Sequence, residues 1–293
     1  MAFDRRRIAR AFGQAAADYE KHAWLQREVR ARLYERLEHF PLQPNVVLDV
    51  GCGSGHGSAE LKRRYPRAKV IGLDLAGSMC QQTRKQSRWR RPLHSIQADT
   101  MRLPLASRSV DLLISNLTLQ WLDDLPDFFR GVRRVLKPGG LLLFSSFGPD
   151  TLQELRQAWA SVGEQARVSE FIDQHVIGDW LVAAGFRDPV MDCDRITATY
   201  PDVGDLLQDL KSIGAGNARS DRPRQLTTRG KLQAMQQAYR DQNTCAGKIT
   251  ATWEVVYATA VGPEPGQPIR TEAGEQVSFP IDSMTMRLSP KKF

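Results

Sequence analysis

Residues 46–55 read VVLDVGCGSG, and this stretch is the strongest indication of the fold in the sequence. It begins as a nearly continuous apolar run and stops at glycines, a pattern typical of a strand buried on both faces of a parallel sheet. Gly51, Gly53 and Gly55 allow a tight turn without Cβ atoms, so backbone amides can approach a ligand where the next helix begins. The stretch therefore predicts a strand, a ligand-binding turn and a helix in succession.

Further short apolar runs follow the first one at helix-sized intervals. Between them lie stretches with helical periodicity, one opening at Ser58 and another over 125–136. Regular alternation of strands and helices is typical of an α/β protein with a doubly wound sheet. The predicted strands cover residues 46–52, 69–75, 93–99, 110–116, 140–147, 190–199 and 252–261, with an edge strand at 276–281.

Two regions outside this alternation also have helical patterns. Apolar residues repeat at helical spacing in two stretches before Pro41, which predicts N-terminal helices. Residues 202–243 are polar, basic and helical in pattern, and they predict a helical insert before the last strand. We therefore expect one domain over 1–262, with an N-terminal helical lid over about 1–40, followed by a Gly- and Pro-rich extension over 263–293.

The composition is that of an ordinary globular protein. The 293 residues (33.0 kDa) are 41% hydrophobic and 25% charged, which excludes disordered, collagen-like and coiled-coil chains. Four cysteines lack the close spacing of a zinc site or a disulfide framework. No apolar run approaches the roughly 18 residues of a membrane-spanning helix. We therefore expect a cytoplasmic protein with reduced thiols, no metal and no membrane segment.

The charge balance favours an acidic partner. Lysine and arginine number 41 against 33 aspartate and glutamate, which gives a net charge of +8 and a pI near 9.5. The surplus is concentrated in residues 84–91, which are basic without an acid, and in the region 205–240. Helix and loop faces exposed to solvent also carry such basic runs, so each run can equally be an ordinary exposed surface that binds no partner.

Two cofactor classes compete for the glycine turn. A dinucleotide fingerprint, GxGxxG, that starts at Gly51 would need glycine or alanine at position 56, which is His56. One that starts at Gly53 would need it at position 58, which is Ser58. The tighter GxGxG spacing, with Asp49 two residues before the first glycine, resembles motif I of the class I S-adenosylmethionine-dependent methyltransferases. This resemblance implies S-adenosylmethionine as cofactor. It also implies a Rossmann-like class I methyltransferase fold with a seven-stranded, mostly parallel sheet.

Side chains at the ends of the next strands complete the predicted cofactor site. Asp74 ends the second strand, where a carboxylate can accept hydrogen bonds from both ribose hydroxyls of an adenosine; a helix N-cap is the alternative. In the resembled family, an acid at the position of Asp99 meets the adenine amino group, and a turn aspartate is the alternative. Asn116 ends the fourth strand and is assigned to the cofactor. Trp121 follows it, either as a catalytic wall of the methyl site or as a core residue.

The chain as a whole resembles one family, the malonyl-acyl-carrier-protein O-methyltransferases of biotin synthesis. The resemblance covers nearly all of the chain and implies methyl transfer to the free carboxylate of a malonyl thioester. The methyl ester masks the charge, so that fatty-acid enzymes can extend the product towards pimeloyl. Beyond the core motifs, the resemblance is carried by FGQAAADYEKHAWLQ (12–26), SFGPDTLQELRQAW (146–159), LKSIGAGNAR (210–219), LTTRGKLQAM (226–235) and WEVVYATAVG (253–262).

The same resemblance implies roles outside the core motifs. In relatives the N-terminal segment folds over the cofactor, so we assign Gln26 to the cofactor. Tyr19 is assigned to catalysis, where it closes the pocket and hydrogen-bonds the cofactor carboxylate or the substrate; a packed aromatic is the alternative for Tyr19. The implied partner is malonyl-loaded acyl carrier protein, which is strongly acidic, or malonyl-CoA. The predicted carrier contacts in the insert are Arg219, Arg222, Arg224, Arg229 and Lys231.

The expected acceptor needs little chemical assistance. A carboxylate is already ionised at pH 7, so a dry pocket that aligns it with the methyl group could suffice without a general base. The (Asp/Asn)-Pro-Pro-(Tyr/Phe) motif of base-amine methyltransferases is absent after the fourth strand, which argues against a nucleic-acid substrate. Methylation of another small acid, a quinone or RNA, and an inert cofactor-binding subunit, stay open as alternatives.

Overall fold

The computed structural model describes residues 3–164, 167–216, 218, 220, 227–264, 269–271 and 274–276. The strands are β1 (Val46–Val50), β2 (Lys69–Asp74), β3 (Leu93–Gln97), β4 (Val110–Ser115), β5 (Leu136–Phe147), β6 (Arg187–Tyr200), β7 (Thr244–Cys245), β8 (Lys248–Val261), β9 (Ile269–Thr271) and β10 (Gly274–Gln276). The α-helices are α1 (Arg5–Ala15), α2 (Tyr19–His22), α3 (Trp24–Glu35), α4 (His56–Arg64), α5 (Gly77–Gln86), α6 (Leu125–Val135), α7 (Gln153–Ser161), α8 (Gln174–Ala183), α9 (Val203–Ser212) and α10 (Arg229–Asn243). Short 3-10 helices cover Arg36–His39 and Leu119–Trp121.

The main sheet has the spatial order β3-β2-β1-β4-β5-β8-β6, and the two-residue β7 pairs with β8. Strands β1 to β5 are parallel, whereas β8 runs antiparallel between β5 and β6. The predicted mostly parallel, doubly wound sheet with seven main strands is confirmed. Helices α9 and α10 lie between β6 and β8 in the chain, as expected for the insert; residues 217, 219 and 221–226 in its middle are outside the described part.

Several strands are longer than the sequence predicted. Strand β5 begins at Leu136 rather than at 140, because Leu136 already pairs with Val110 of β4 before a shift in register. Residues 137–140 (Lys-Pro-Gly-Gly), between the predicted helix and the predicted strand, therefore lie inside the strand. Strands β6 and β8 pair from Arg187 to Tyr200, which explains their length. Of the predicted edge strand at 276–281, only its first residue is described, at the end of β10.

Two apolar clusters cover the two faces of the main sheet. Side chains alternate along β1, so that Val47 belongs to one cluster and Leu48 to the other. Helices α3, α7 and α10 contribute to the first cluster, and α6 and α8 contribute to the second. Because both faces are covered, the central strands must be largely apolar, as residues 46–50 are.

The carboxyl ends of the parallel strands meet at one edge of the sheet, where ligands of doubly wound folds bind. The turns that follow β1, β2, β3 and β4 gather there. The basic run 84–91 precedes β3 and therefore lies at the opposite edge. Within the described residues, no helix has both the length and the apolar character needed to cross a bilayer.

Candidate active site

The glycine turn after β1 has a conformation that favours glycine. Gly51, Gly53 and Gly55 have φ angles of +72°, +53° and +82°. A Cβ atom on Gly51 would lie 2.0 Å from Oγ1 of Thr118, and one on Gly55 would lie 2.5 Å from Cα of Thr83. A Cβ atom on Gly53 would meet no atom closer than 3.9 Å. Packing therefore requires the outer two glycines, whereas the middle one leaves open space on the cavity side.

Asp74 ends β2 beside this turn. Its carboxylate accepts hydrogen bonds from the backbone amides of Gly53 at 3.0 Å and Ala76 at 2.8 Å. Burial raises the pKa of this carboxyl group, although the two backbone hydrogen bonds oppose the shift. Each carboxylate oxygen can accept a further hydrogen bond. Two neighbouring hydroxyl donors, such as those of a ribose, match this pair of oxygens.

Asp99 follows β3 and faces the same space. Its Oδ1 accepts a hydrogen bond from the amide of Met101 at 3.0 Å, and its Oδ2 pairs with Arg5 of α1. Arg5 also pairs with Asp123 at 3.3 Å. The first helix is thereby fixed across the Asp99 side of the site.

A cavity lies between these residues. Its lining combines the strand ends with the N-terminal helices. The lining includes Arg5, Phe12, Tyr19, Gly51, Gly53, Asp74, Asp99, Asn116 and Trp121.

A smaller cavity adjoins the first one on the Asp49 side of the glycine turn. The carboxylate of Asp49 is buried and accepts a hydrogen bond from the hydroxyl of Ser58 at 2.5 Å. Burial raises the pKa of Asp49 to about 6, while Ser58 and Arg30 lower it. Arg30 lines the same cavity and pairs with Glu60 at 3.4 Å. This cavity thus presents an acid and a cation together, as a zwitterionic amino-acid group would require.

Asn116 lines both cavities, and Gln26 lines the smaller one. Nδ2 of Asn116 donates to the backbone oxygen of Gln26 at 3.1 Å, and its Oδ1 accepts from the hydroxyl of Ser145 at 2.9 Å. Oε1 of Gln26 is buried and has no hydrogen-bond partner among the described residues. A buried acceptor of this kind marks a place for a donor on a ligand.

Tyr19 and Trp121 both reach the main cavity. Tyr19 is the first residue of α2 and lines both cavities, and burial raises the pKa of its hydroxyl, which therefore stays protonated. Trp121 packs edge-on against Phe12, with ring centroids 5.5 Å apart. The structure therefore brings together all ten residues predicted for cofactor and catalysis at one edge of the sheet.

Three charged residues at this site were not predicted from the sequence. Arg5 and Arg30 line the two cavities, and Glu20 accepts a hydrogen bond from the hydroxyl of Ser54 in the glycine turn. Glu20 also lies 3.2 Å from Nδ1 of His56. The helical periodicity locates the helices that carry these residues. It gives no signal of which polar side chain faces a cavity formed by distant segments.

The predicted carrier contacts are only partly described. Arg229 is exposed at the start of α10, and Lys231 two residues later pairs with Glu164 at 2.7 Å. Arg219, Arg222 and Arg224 lie outside the described residues. In the part of the chain that the structure describes, no group of three or more histidine, cysteine, aspartate or glutamate side chains is arranged to hold a metal ion.

Comparison with known proteins agrees with this geometry. A methyltransferase-domain family model matches residues 48–144. The structure is similar to a SAM-dependent methyltransferase from Thermotoga maritima, with a TM-score of 0.52, 16% identity, and coverage of 87% of this chain and 99% of that one. Phosphoethanolamine N-methyltransferase 2 of Haemonchus contortus gives a TM-score of 0.55 at 16% identity, over 86% of this chain and 57% of that one. The fold and the site at its carboxyl edge define a class I methyltransferase.

Sequence relatives narrow this class to one family. Malonyl-acyl-carrier-protein O-methyltransferase of Xylella fastidiosa is 46% identical over 286 residues, which cover 97% of both chains. The enzyme of the same name from Methylovorus sp. is 47% identical over 267 residues, covering 89% of this chain and 90% of that one. The chain belongs to the malonyl-acyl-carrier-protein O-methyltransferase family.

Proposed function

We propose that this chain transfers a methyl group from S-adenosylmethionine to the free carboxylate of a malonyl thioester, giving the methyl ester that primes pimeloyl synthesis for biotin. The observation that carries the proposal is the pair of adjoining cavities at the carboxyl edge of the sheet. One presents carboxylates suited to an adenosine, and the other presents the opposite charges suited to an amino-acid group. S-adenosylmethionine consists of these two parts, and the family name supplies the acceptor.

The acidic residues of the main cavity would hold the adenosine. The Asp74 carboxylate is positioned by two backbone amides and can accept both ribose hydroxyls. Asp99 can accept a hydrogen bond from the adenine amino group, with Arg5 closing the site behind it. Gly53 lets the backbone approach the ligand because it carries no side chain on that face.

The smaller cavity would hold the methionine end. Its ammonium group would be bound by Asp49 and by Oε1 of Gln26, which is buried and otherwise without a donor. Its carboxylate would be bound by Arg30, which lines the same cavity. Asn116 would position Gln26, because its amide group hydrogen-bonds both the backbone oxygen of Gln26 in α3 and the hydroxyl of Ser145 in β5.

The chemistry requires alignment more than proton transfer. When bound, the cofactor supplies an electrophilic methyl group, whose bond to sulfur breaks with its electrons left on sulfur as a new bond to a carboxylate oxygen forms. No proton moves, so no general base is needed. Tyr19 and Phe12 cover the cavity and exclude water, and Trp121 forms the wall on the acceptor side.

The carrier, the compartment and the domain organisation are also part of the proposal. We expect malonyl-loaded acyl carrier protein or malonyl-CoA as the substrate, and we do not expect a nucleic-acid substrate. The described cysteines are free thiols, which suits a reducing cytoplasm. Residues 1–262 would act as one domain whose first 40 residues form a lid, and residues 263–293 as an extension.

The direct test is mass spectrometry of malonyl-loaded acyl carrier protein after incubation with purified protein and S-adenosylmethionine. We expect a gain of one methyl group on the malonyl group with the wild-type protein. Asp74→Ala should abolish the gain because the ribose contact is lost. Asp179→Ala is the matched control, since Asp179 is exposed on α8, away from the site.

Two outcomes would overturn the proposal. The first is absence of methylation on both malonyl-loaded carrier and malonyl-CoA while cofactor binding is intact. The second is equal activity of the Asp74→Ala and Asp179→Ala variants, which would show that the carboxylate on β2 does not hold the cofactor.

A further inference from the structure

The basic run 84–91, between α5 and β3, lines neither cavity of the candidate active site. Five of its eight residues are lysine or arginine, and none is acidic. Its first two cations, Arg84 and Lys85, belong to the last turn of α5. The other three lie in the turn that leads into β3, so the positive charge continues from the end of the helix to the start of the strand.

The tip of this turn is held by backbone hydrogen bonds. The amide of Arg91 donates to the backbone oxygen of Arg88 at 2.8 Å, and the amide of Arg88 donates to the backbone oxygen of Arg91 at 3.3 Å. The amide of Leu93 donates to the hydroxyl of Ser87 at 3.0 Å, which closes the base of the turn. These contacts fix Trp89 and its neighbour at the projecting tip.

Trp89 is 92% exposed, the highest value among the large apolar side chains in the described part of the chain. Tryptophan is usually largely buried, because its ring is among the largest apolar surfaces in a protein. The guanidinium group of Arg90 lies 5.7 Å from the centroid of the ring. An exposed indole on a fixed backbone can be covered by a partner at a small cost in conformational entropy.

The cations of the run have no carboxylate partners. Within the residues that the structure describes, all five are exposed and none of them takes part in an ion pair. The cations near the cofactor site differ in this respect, since Arg5 pairs with Asp99, and Arg30 pairs with Glu60 at 3.4 Å. The run therefore presents its positive charge to solvent instead of neutralising a neighbouring acid.

Neighbouring elements extend this charge along the amino edge of the sheet. Val70 of β2 pairs with Leu93 of β3, so Lys69 at the start of β2 lies beside the end of the turn. Helix α4 ends at the same edge, where Arg64 pairs with Glu38 at 3.8 Å but its exposed basic neighbours form no ion pair among the described residues. We call the resulting surface the basic edge. It consists of Arg63, Arg67, Lys69, Arg84, Lys85, Arg88, Trp89, Arg90 and Arg91.

The basic edge and the cofactor site lie at opposite ends of the parallel strands. Strand β2 begins at Lys69 in the basic edge and ends at Asp74 in the cofactor site. At about 3.3 Å per residue, these two ends are roughly 17 Å apart. A partner bound at the basic edge therefore leaves the cofactor site uncovered.

The charge selects an anionic partner, and the form of the turn selects among anionic partners. Single-stranded RNA is bound in basic grooves in which several aromatic rings stack on successive bases. The basic edge offers the one ring of Trp89, at the tip of a turn and not in a groove. A bilayer surface suits this arrangement, because tryptophan is favoured at the level of the headgroups and arginine binds phosphate groups in a bidentate manner.

We infer that the basic edge binds the surface of an anionic lipid bilayer, with the Trp89 indole among the headgroups and the arginines of the turn on lipid phosphates. Each cation near such a surface raises the affinity about fivefold. One indole buries too little apolar area for permanent anchoring, so the association is peripheral and reversible. The carboxyl edge of the sheet then faces away from the bilayer and stays open to a soluble substrate. The inference is independent of the proposed function.

The test is flotation of the full chain with lipid vesicles. One set of vesicles contains phosphatidylcholine alone, and the other contains phosphatidylcholine mixed with phosphatidylglycerol. The wild-type protein should bind the anionic vesicles at least about tenfold more tightly than the neutral ones, and added salt should weaken this binding. Anionic vesicles with brominated acyl chains should quench part of the tryptophan fluorescence, because the Trp89 indole reaches the boundary between headgroups and chains.

A charge variant and its control locate the electrostatic contact. Replacing the three arginines of the turn together by glutamine should weaken binding to anionic vesicles by at least about tenfold. The control removes the same charge from exposed positions elsewhere, and it should bind nearly as well as the wild-type protein. The turn variant carries Arg88→Gln, Arg90→Gln and Arg91→Gln, and the control carries Arg6→Gln, Arg10→Gln and Arg130→Gln.

A second variant tests the indole. Trp89→Ser should weaken binding to anionic vesicles by at least about threefold and should remove most of the quenching by brominated chains. Val176→Ser, which replaces a side chain that is 40% exposed on α8, is the control. All replaced side chains are exposed, so the melting temperature should stay close to that of the wild-type protein. An unchanged melting temperature separates a loss of binding from a loss of structure.

The inference is overturned if the wild-type protein shows no preference for anionic vesicles, or if the turn variant and its control lose the same affinity. It is also overturned if a single-stranded RNA oligonucleotide binds and anionic vesicles do not, since the basic edge would then be a nucleic-acid site. Failure of the proposed function is a separate result, because methylation of malonyl-loaded carrier is measured in the absence of vesicles.

Discussion

At the scale of single residues, the glycines of the turn after β1 meet two requirements, tight packing and close approach of a ligand to the backbone. The sequence pattern alone does not show which glycine meets which requirement. Gly51 and Gly53 both line the cavity, but Gly51 and Gly55 are fixed by neighbouring threonines, whereas a Cβ atom on Gly53 would meet nothing closer than 3.9 Å. The GxGxG pattern predicts a ligand turn, but the structure shows that its outer glycines serve packing. Substitutions should therefore affect stability and cofactor binding to different degrees along the same turn.

We expect Gly51→Ala to destabilise the protein by at least about 3 kcal/mol, because its Cβ would overlap the Thr118 side chain and φ is positive. Gly53→Ala should cost roughly 1 kcal/mol, the cost of a left-handed alanine, and should weaken cofactor binding. Urea denaturation of the two variants measures the difference. Equal destabilisation by both would show that packing does not distinguish the two positions.

Asp49 should lower the stability of the cofactor-free protein as the pH rises. Its pKa is raised by burial from 3.8 to about 6, so the folded state binds a proton that the unfolded state has released between these values. The stabilising contribution is complete below about pH 4 and is lost as the pH passes through about 6. Over the whole titration the loss is on the order of 3 kcal/mol, since the pKa moves from 3.8 to about 6 and one pKa unit corresponds to about 1.4 kcal/mol.

The variant Asp49→Asn tests this effect, because asparagine does not titrate. Relative to the wild type, the variant should gain roughly 2 kcal/mol in free energy of unfolding between pH 4 and pH 7. It should also bind S-adenosylmethionine more weakly. A stability difference that does not change with pH would show that the Asp49 carboxyl titrates normally in the folded state.

At the scale of elements, the N-terminal helices close the site through a few polar contacts. Arg5 of α1 reaches Asp99 and Asp123, and Glu20 of α2 reaches the glycine turn. The Arg5 side chain is 42% exposed, so these ion pairs add little to overall stability. Their location above the cavity suits a lid that opens without unfolding the domain.

Arg5→Gln should release bound S-adenosylhomocysteine several times faster than the wild-type protein, because α1 loses its attachment to the Asp99 side of the cavity. The free energy of unfolding should change by less than about 1 kcal/mol. Stopped-flow fluorescence in the presence of excess competitor measures the release rate. Arg10→Gln, an exposed arginine on the same helix, is the control. Identical release rates for both variants would contradict a role of Arg5 in closure.

The sequence predicted the elements better than it predicted the charged residues that the N-terminal helices bring to the site. Strands β1 and β2 follow local rules, so Asp74 could be assigned from its position at the end of a strand, and Asp49 from the resemblance of the glycine turn to motif I. Arg5, Glu20 and Arg30 could not, because their surroundings are created by segments more than 80 residues apart in several cases. The early start of β5 has the same cause, since it depends on pairing with β4.

At the scale of the whole molecule, the positive charge is divided between two edges of the sheet. The basic run 84–91 precedes β3 at the amino edge, whereas α10 carries Arg229 and Lys231, and Lys231 pairs with Glu164. We expect the carrier to contact the second group. Electrostatic steering by it should act on the carrier and not on a small thioester.

Arg229→Glu should lower kcat/KM for malonyl-loaded acyl carrier protein several-fold at low salt and leave the value for malonyl-pantetheine unchanged. Raising the salt concentration should diminish the difference, because exposed charges are screened. Arg90→Glu reverses a charge at the opposite edge and should behave as the wild type. An equal loss in both variants would indicate a general effect of net charge rather than a docking surface.

The central claim is that the methyl group is transferred to an oxygen of the malonyl carboxylate. Carbon-13 NMR of the product formed from malonyl-loaded carrier and S-adenosylmethionine labelled at its methyl carbon tests this claim most directly. The structure predicts one labelled signal, at the chemical shift of a methoxy carbon in an ester. A labelled methyl group bound to carbon, or no labelled product from a protein that binds the cofactor, would contradict it.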